Sequence, residues 1–176
     1  MTQAINISVQ DVVRNKIALL REDKVMVAKI RNAVHKKYGE VRDVHSFMVK
    51  DTPSEWNSDS GKPSKEQLAI HAALTLYAWH SMGWNADNST TSFGEAVGYL
   101  IRKKPNMQNV IRVRFNAAAQ ASDVVRFVRN AHGLIKHLSS ANIGFDYPQF
   151  AGDLLNLQMR GSRDSVTYQW ASDMYR

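Results

Sequence analysis

The chain has 176 residues, of which 44% are apolar, so it is long enough to bury a core and falls in the size range of a single domain. No apolar run approaches the roughly 20 residues that span a bilayer. The first residues lack the basic-then-apolar layout of a secretory signal, and the chain has no cysteine for a disulfide framework or a thiolate metal site. These totals argue against a membrane-spanning or disulfide-rich secreted protein, and a cytoplasmic protein is expected.

The net charge of +7 is concentrated in one segment. Residues 96–145 hold eight lysines and arginines against a single acid, Asp123, whereas the rest of the chain is balanced. A charge kept only for solubility has no physical reason to gather in this way, whereas an electrostatic footprint for an anionic partner does. Binding to nucleic acid is therefore predicted, with a merely basic surface as the alternative.

Taken in chain order, the first part of the sequence predicts three helices and a long loop. Apolar residues at helical spacing predict a helix over residues 9–20 and a second over about 24–37. Residues 50–65 are rich in turn formers and are predicted to form an exposed loop. A long helix is predicted over about 64–82, and its apolar residues point in all directions. Such a helix is normally enclosed by others, so it is expected to be the centre of the core.

Five further helices are predicted in the second part of the chain. Ser92 and Glu95 have the spacing of a capping box. Ser122 is the predicted cap of the longest helix, and Asp146 with Pro148 is typical of a helix start. These helices are expected over about 93–103, 107–120 and 123–138, over a stretch after Asp146, and over about 163–175.

The fold class that follows is all-α, a helical bundle of about seven to nine helices with no sheet. One domain, 1–176, is expected. Within it, an N-terminal half, 1–84, and a C-terminal half, 92–176, are joined by a polar loop at 85–91.

The predicted helix 123–138 has an apolar side and a basic side. Lys and Arg on one rigid face suit phosphates, because each neutralised phosphate releases condensed counterions and Arg can contact phosphate oxygens in pairs. No zinc-finger spacing and no clear helix-turn-helix is present, so the pattern favours contact with the backbone and not with base edges. A solvated polar face is the alternative. The basic side consists of Arg126, Arg129, Asn130, Gly133, Lys136 and His137.

Arg112 and Arg114 are expected to differ in environment. Arg112 shares a helix face with two asparagines and can reach solvent or phosphate. Arg114 lies close to the predicted core side, where a buried guanidinium must be paired. Asp153 and Asp173 are the expected partners, and the sequence leaves open whether Arg114 is structural or functional.

The pattern of histidines and acids predicts no catalytic site. His71 and His80 are nine residues apart on one predicted helix and cannot share a metal ion, and no metal-binding motif or phosphate-binding glycine loop is present. Asp146 and Asp153 have structural explanations, as a helix cap and an ion-pair partner. We therefore expect no enzyme activity, no metal site and no cofactor.

Several segments, in their order and spacing, resemble the CasB family, the small subunit of type I-E CRISPR Cascade complexes. The resemblance covers most of the chain from about Ala28 and is strongest after Ser92. Its pieces are Ala28-Lys-Ile-Arg31, Leu76-Tyr-Ala-Trp-His80, Ser92-Phe-Gly-Glu-Ala-Val97, Arg112-Val-Arg-Phe-Asn-Ala-Ala118, Leu134-Ile-Lys-His-Leu138, Phe145-Asp-Tyr-Pro-Gln-Phe-Ala-Gly-Asp-Leu154 and Val166-Thr-Tyr-Gln-Trp-Ala-Ser-Asp-Met-Tyr175.

Three positions depart from the family pattern. Asn32 stands where a second arginine is common, which removes one expected phosphate contact. Leu157 and Met174 stand where tryptophan and phenylalanine are usual, and these changes concern packing.

The resemblance implies a non-enzymatic helical subunit that is present as a pair in its complex. It would contact the backbone subunits that carry the guide RNA, the large subunit, and both the guide RNA–target DNA hybrid and the displaced DNA strand. Family basic residues carry over to Arg31 and to Arg112, Arg114, Arg126 and Arg129. Together with the charge pattern, they give a predicted nucleic-acid-binding set of Arg31, Arg102, Lys103, Lys104, Arg112, Arg114, Arg126, Arg129 and Lys136.

Two other functions remain open from the sequence. A helical assembly module could use its basic face to dock an acidic protein, and a stand-alone regulator could bind DNA at a preferred site.

Overall fold

The structure is a computed structural model that describes residues 6–176, so most of the stretch examined for a secretory signal lies outside the described residues. Within 6–176 it contains nine α-helices, two short 3₁₀ turns and no β-strand, which confirms the predicted all-α class. None of these helices is both long and apolar enough to cross a membrane. The helices are α1 Val9–Arg21, α2 Lys24–Asn32, α3 Arg42–Val49, α4 Lys65–His80, α5 Phe93–Lys103, α6 Gln108–Ala119, α7 Val124–Ser140, α8 Tyr147–Leu157 and α9 Arg163–Met174.

Side-chain caps explain where several helices begin. The Ser64 hydroxyl accepts from the backbone N–H of Gln67, and the Gln67 side chain accepts in return, so α4 starts with a full capping box. At α5 only half of the predicted box is present. Ser92 accepts from the backbone N–H of Glu95 at 3.2 Å, but the Glu95 carboxylate lies 4.0 Å from Arg176.

Three predictions about the helices are wrong. The second helix ends at Asn32, about five residues early, and turns follow it. Helix α3 was not predicted, and Val41, which precedes it, offers no side-chain cap. The cap of α7 is Asp123 and not Ser122, because the Asp123 carboxylate accepts from the backbone N–H of Arg126 at 2.8 Å. A carboxylate also suits the positive end of the helix dipole better than a hydroxyl does.

Helix α4 lies at the centre of the core, as predicted. It packs against α1, α2, α7 and α8, and ten of its sixteen residues are buried. Two further pairs of helices pack beside this group: α5 packs against α9, and α6 packs against α7. Aromatic rings fill the space where these groups meet. The rings of Phe93, Phe127, Phe145, Phe150 and Trp170 contact one another there at centroid distances from 4.9 to 6.4 Å.

The connection between α4 and α5 is bonded to the connection between α7 and α8. The Phe145 N–H donates to the Ala86 carbonyl at 3.0 Å, and the Asn88 N–H donates to the Phe145 carbonyl at 2.9 Å. An isolated β-bridge joins Asp87 and Phe145, and the Asp87 carboxylate accepts from the backbone N–H of Tyr147 at 3.0 Å. The predicted 85–91 loop is thus held at several points, and the division into two halves stays a prediction.

Candidate nucleic-acid interface

Helix α7 presents a basic side to solvent, as its sequence predicts. Its inner side is buried against the rest of the protein, with Phe127, Leu134 and Leu138 each 2% exposed or less. Arg126, Arg129 and Lys136 are exposed on the outer side. Because the inner side is fixed by the core, the outer cations have a defined direction, which a flexible tail would not give them.

Arg114 lies next to this basic side, and its predicted pairing with Asp153 or Asp173 is wrong. Arg114 is exposed, and its guanidinium lies against Gly133 of α7, in the space that a Cβ atom at residue 133 would occupy. Asp153 instead accepts from the Trp170 indole at 2.8 Å. Because Gly133 has no side chain, the guanidinium of the exposed Arg114 can lie across α7 at this point.

Two lysines at the end of α5 approach the C-terminal end of α7. The Lys103 ammonium donates to the Ala141 carbonyl at 2.8 Å, and the Lys104 ammonium donates to the Ser140 hydroxyl at 3.2 Å. Both positive charges therefore lie near the negative end of the α7 dipole, where cations are favoured. Lys104 extends the basic side of α7, whereas Lys103 serves α7 as a C-terminal cap.

The environment of His137 shows that these cations converge. Burial lowers the pKa of His137, and the positive charges of Arg114, Lys104 and Lys136 lower it further. Arg114 of α6, Lys136 of α7 and Lys104, which follows α5, therefore lie near one imidazole. We call this surface the α7 face; it consists of Lys104, Arg114, Arg126, Arg129, Lys136 and His137.

Little negative charge opposes the α7 face. Among the described residues, its one ion pair joins Arg126 to Asp123 at 3.9 Å, and both side chains are more than half exposed. Exposed pairs of this kind contribute at most about 1 kcal/mol and are weakened by salt. No carboxylate in the described part of the chain lies within 4.0 Å of the charged groups of Arg114, Arg129 or Lys136. The α7 face is therefore available to an anionic partner.

Arg102 and Arg112 lie elsewhere, beside the C-terminus. The Arg102 guanidinium donates to the Arg176 carbonyl at 3.2 Å and stands 4.8 Å from the Tyr99 ring centre. The Arg112 guanidinium stands 5.5 Å from the Tyr175 ring centre. These two predicted site residues form a second basic cluster, which we call the C-terminal cluster. Their contacts are separate from those of the α7 face.

Arg31 occupies a third position. Its Nε donates to the Ala78 carbonyl of α4 at 3.2 Å. Trp79, the next residue of α4, contacts the His132 ring of α7, with ring centroids 4.2 Å apart. Arg31 is therefore bonded to α4 close to a point where α4 packs against α7. Arg31 also lines a cavity of about 500 Å³ together with Arg21. The structure therefore divides the nine predicted residues among the α7 face with its capping lysine, the C-terminal cluster and Arg31.

Sequence reasoning missed the surroundings of His132. The His132 ring contacts His35 at 5.4 Å, and burial, followed by the charges of His35 and Lys136, lowers its pKa. This contact brings the segment after α2 beside α7. Helical spacing within one helix cannot reveal such a pairing, because it depends on how α2 and α7 are placed around α4.

Two of the buried polar side chains, His80 and Lys16, have structural partners. The His80 ring bonds the Tyr147 hydroxyl at 2.8 Å and the Ile143 carbonyl at 2.7 Å. The buried Lys16 ammonium donates to the Phe47 and Lys50 carbonyls, at the end of α3. Within residues 6–176, no three histidines or acids are grouped closely enough to hold a metal ion. The arrangement at the α7 face can bind anions through charge and hydrogen bonds.

The chain is similar in fold to solved CRISPR-associated proteins. The crystal structure of CasB from Thermobifida fusca is 21% identical with a TM-score of 0.71, over 96% of this chain and 96% of that chain. CasB from M. ruber is 18% identical with a TM-score of 0.65, over 97% and 94% of the two chains. A Cse2-family protein from Thermus thermophilus is 15% identical with a TM-score of 0.65, over 96% and 99%. No curated protein matches the chain significantly.

Identities this low show a shared fold and no more, and it is the family model that decides the family. The model of CRISPR-associated protein Cse2 matches residues 26–175 of the 176, which is most of the chain. The predicted resemblance is thereby confirmed. The chain belongs to the Cse2 family, the CasB family of type I-E CRISPR Cascade.

Proposed function

We propose that this chain is a non-catalytic small subunit of a Cascade complex that binds nucleic-acid backbone without sequence specificity and stabilises the R-loop. R-loop formation exchanges one duplex for another of similar stability, so protein contacts to phosphates can shift its balance. In this role the chain contacts the guide RNA–target DNA hybrid and the displaced strand. It is bound in the complex beside a second copy of itself, the backbone subunits and the large subunit.

The observation that carries the proposal is the convergence of cations on the α7 face. Arg114 of α6 lies against Gly133 of α7, Lys104 at the end of α5 donates to Ser140 of α7, and Lys136 is exposed on α7 itself. Collecting like charges costs electrostatic free energy, which a polyanion lying across them offsets by releasing its counterions. The separate C-terminal cluster around Arg112 and Arg102 offers a second contact for a strand or for another subunit.

A charge-reversal experiment tests the α7 face. We expect Arg129→Glu with Lys136→Glu to weaken binding of labelled DNA at least tenfold in fluorescence anisotropy, because two cations without a nearby carboxylate are reversed. Helical content, measured by circular dichroism, should not change, since both side chains are exposed. In a salt titration, the log–log slope should become shallower by roughly two phosphates at about 0.9 each.

The matched control reverses the same amount of charge elsewhere. The control variant combines Arg14→Glu with Arg160→Glu. Arg14 lies in α1 and Arg160 in the α8–α9 connection, and both residues are exposed. If both double variants weaken binding equally, net charge and not the α7 face is responsible, and the proposal fails. If neither does, the face does not bind DNA.

DNA binding by the α7 double variant also distinguishes backbone binding from the two other functions that the sequence left open. A stand-alone regulator would prefer one DNA sequence in competition, whereas backbone binding shows no preference. An assembly module that docks an acidic protein would leave DNA binding unaffected by the α7 substitutions but lose its place in the assembled complex.

A further inference from the structure

A cavity of about 540 Å³ lies beside the α7 face. It is enclosed by the turns after α2, the first part of α4 and the first turns of α7. We call it the α2–α7 cavity. Leu68, Val124 and Val128 give it apolar walls, and Arg129 of the α7 face lines it as well. Its volume lies within the usual range of small-ligand pockets.

Two rings in this cavity carry unused hydrogen-bonding capacity. Tyr38 and His71 both line it, with ring centroids 5.2 Å apart. The Tyr38 hydroxyl oxygen is buried and has no hydrogen-bond partner among the described residues. Burial lowers the pKa of His71 to about 4, so its imidazole is neutral at pH 7 and can both donate and accept. An unpaired polar group between apolar walls is costly, and a ligand with a polar edge would pair with the His71 imidazole.

The rim of the cavity is cationic. Lys36, Lys37 and Arg129 line it. One acid is close by: the Glu40 carboxylate lies 3.7 Å from the Lys36 ammonium, but both side chains are about half exposed, so the pair is weak. Apolar walls with the Tyr38 ring, the unpaired His71 imidazole and a cationic rim match the three parts of a nucleotide, which are a base face, a base edge and a phosphate.

We propose that the α2–α7 cavity receives one unstacked base of a nucleic-acid strand whose phosphates lie on the α7 face. The proposal rests on the proposed function, because the strand must first be bound there. Proteins that bind single strands stack splayed-out bases on aromatic side chains and bond their edges. An apolar side chain from a protein partner would fill the walls, but it would leave His71 unpaired and offer no charge to the rim.

Paired oligonucleotides test the proposal on the full chain. The probes are a labelled single-stranded oligothymidylate and an abasic strand of the same length, which has the phosphates without the bases. We expect Tyr38→Leu and His71→Leu each to weaken oligothymidylate binding about fivefold or more. A fivefold change is the lower end of the loss in affinity when one base loses its stacking contact. Binding of the abasic strand should not change, since neither substitution alters the charge at neutral pH.

Tyr168→Leu is the matched control, because Tyr168 is 74% exposed on α9 and does not line the cavity. It should bind both probes like the unchanged protein. If Tyr38→Leu and His71→Leu also bind both probes unchanged, the cavity holds no base and this inference is overturned, while the proposed function stands. If the unchanged protein binds neither probe even at low salt, both proposals fail. If the two substitutions impair only assembly with other Cascade subunits, the occupant is a protein side chain.

Crosslinking gives a readout that needs no variant. An oligonucleotide carrying iodouridine, irradiated on the unchanged protein, should attach to the peptide containing Tyr38 or to the one containing His71. Mass spectrometry identifies the peptide. Crosslinks found only on peptides outside the cavity would overturn the proposal, even if the substituted proteins failed to fold.

Discussion

Gly133 shows that the position of one functional side chain can depend on what a neighbouring helix lacks. The helical wheel placed Arg114 near the core and predicted an ion pair for it. The wheel of α6 cannot show that α7 presents a glycine at this point, so that the guanidinium passes over Gly133 to solvent. The sequence did indicate that Gly133 lies on the basic side, where glycine costs about 1 kcal/mol relative to alanine in a helix.

Gly133→Ala should therefore change stability and binding in opposite directions. The added methyl group meets the end of the Arg114 side chain, which is flexible and can move. We expect a gain of up to about 1 kcal/mol in the free energy of unfolding and a few-fold loss in DNA affinity. In a double-mutant cycle, the effect on affinity should vanish when Arg114 is already alanine. A persisting effect would mean that Gly133 itself contacts the ligand.

His80 should make the protein sensitive to acid. Burial lowers its pKa from 6.5 to about 4, so the folded state keeps it neutral where the unfolded state binds a proton. The contribution of His80 to stability then falls as the pH is lowered from 6.5 towards 4, and that of His71, whose pKa burial also lowers to about 4, falls with it. We expect a loss of about 2 kcal/mol between pH 7 and pH 4.5 from this residue. Asp153, whose pKa burial raises to about 6, opposes the trend over part of the range.

Denaturant unfolding at several pH values measures this loss, and His80→Gln isolates it. The variant should be less stable at pH 7, because it disturbs the bonds to Tyr147 and Ile143, but its stability should depend less on pH. Equal pH dependence in both proteins would assign the acid sensitivity to other groups.

At the scale of elements, α5 shows how chemical signals in the sequence predict the ends of a helix. Both ends of α5 were predicted correctly, because Ser92 caps its start and Pro105 follows its end. Helix α3, which was missed, has only eight residues and begins without a side-chain cap. For α7 the wrong residue was chosen as the cap, since Ser122 and Asp123 are both good caps and only the fold decides which backbone N–H groups each can reach.

Because Asp123 is both the cap of α7 and the acid nearest its basic side, its two roles can be separated. Asp123→Asn keeps a good capping side chain and removes the charge. We expect little change in stability and tighter DNA binding, with Arg126 released from its partner. Asp123→Ala should instead cost about 1 kcal/mol of stability. Thermal unfolding and anisotropy measure the two effects, and weaker DNA binding by Asp123→Asn would show that the carboxylate helps to orient Arg126 for its ligand.

At the scale of the whole molecule, the sequence predicted that charge gathers in residues 96–145 but not where each charge points. Arg102 and Lys103 are adjacent in α5, yet Arg102 contacts the C-terminal residue and Lys103 caps α7. The contact between His35, in the turns after α2, and His132 of α7 joins residues 97 positions apart, and the same turns line the cavity beside Arg129. Such proximity is a property of helix packing, and no spacing within a single helix contains it.

The predicted halves should not fold independently. The inner faces of α4 pack against α7 and α8, and α1 packs against α8. A fragment of residues 1–84 would therefore expose much of the apolar surface that the intact chain buries. We expect this fragment to show low helicity and no cooperative thermal transition in circular dichroism, and to gain both when residues 85–176 are added. A fragment that unfolds cooperatively by itself would instead establish 1–84 as a domain.

The enclosure of α4 also affects synthesis. Its partners α7 and α8 come later in the chain, and α8 ends 77 residues after α4. At roughly 5–20 residues per second, a ribosome takes several seconds or more to supply them. During this interval a helix with no polar side stays exposed outside the exit tunnel. The nascent protein should therefore be a client of ribosome-associated chaperones, and slow codons placed within α8 should increase its aggregation.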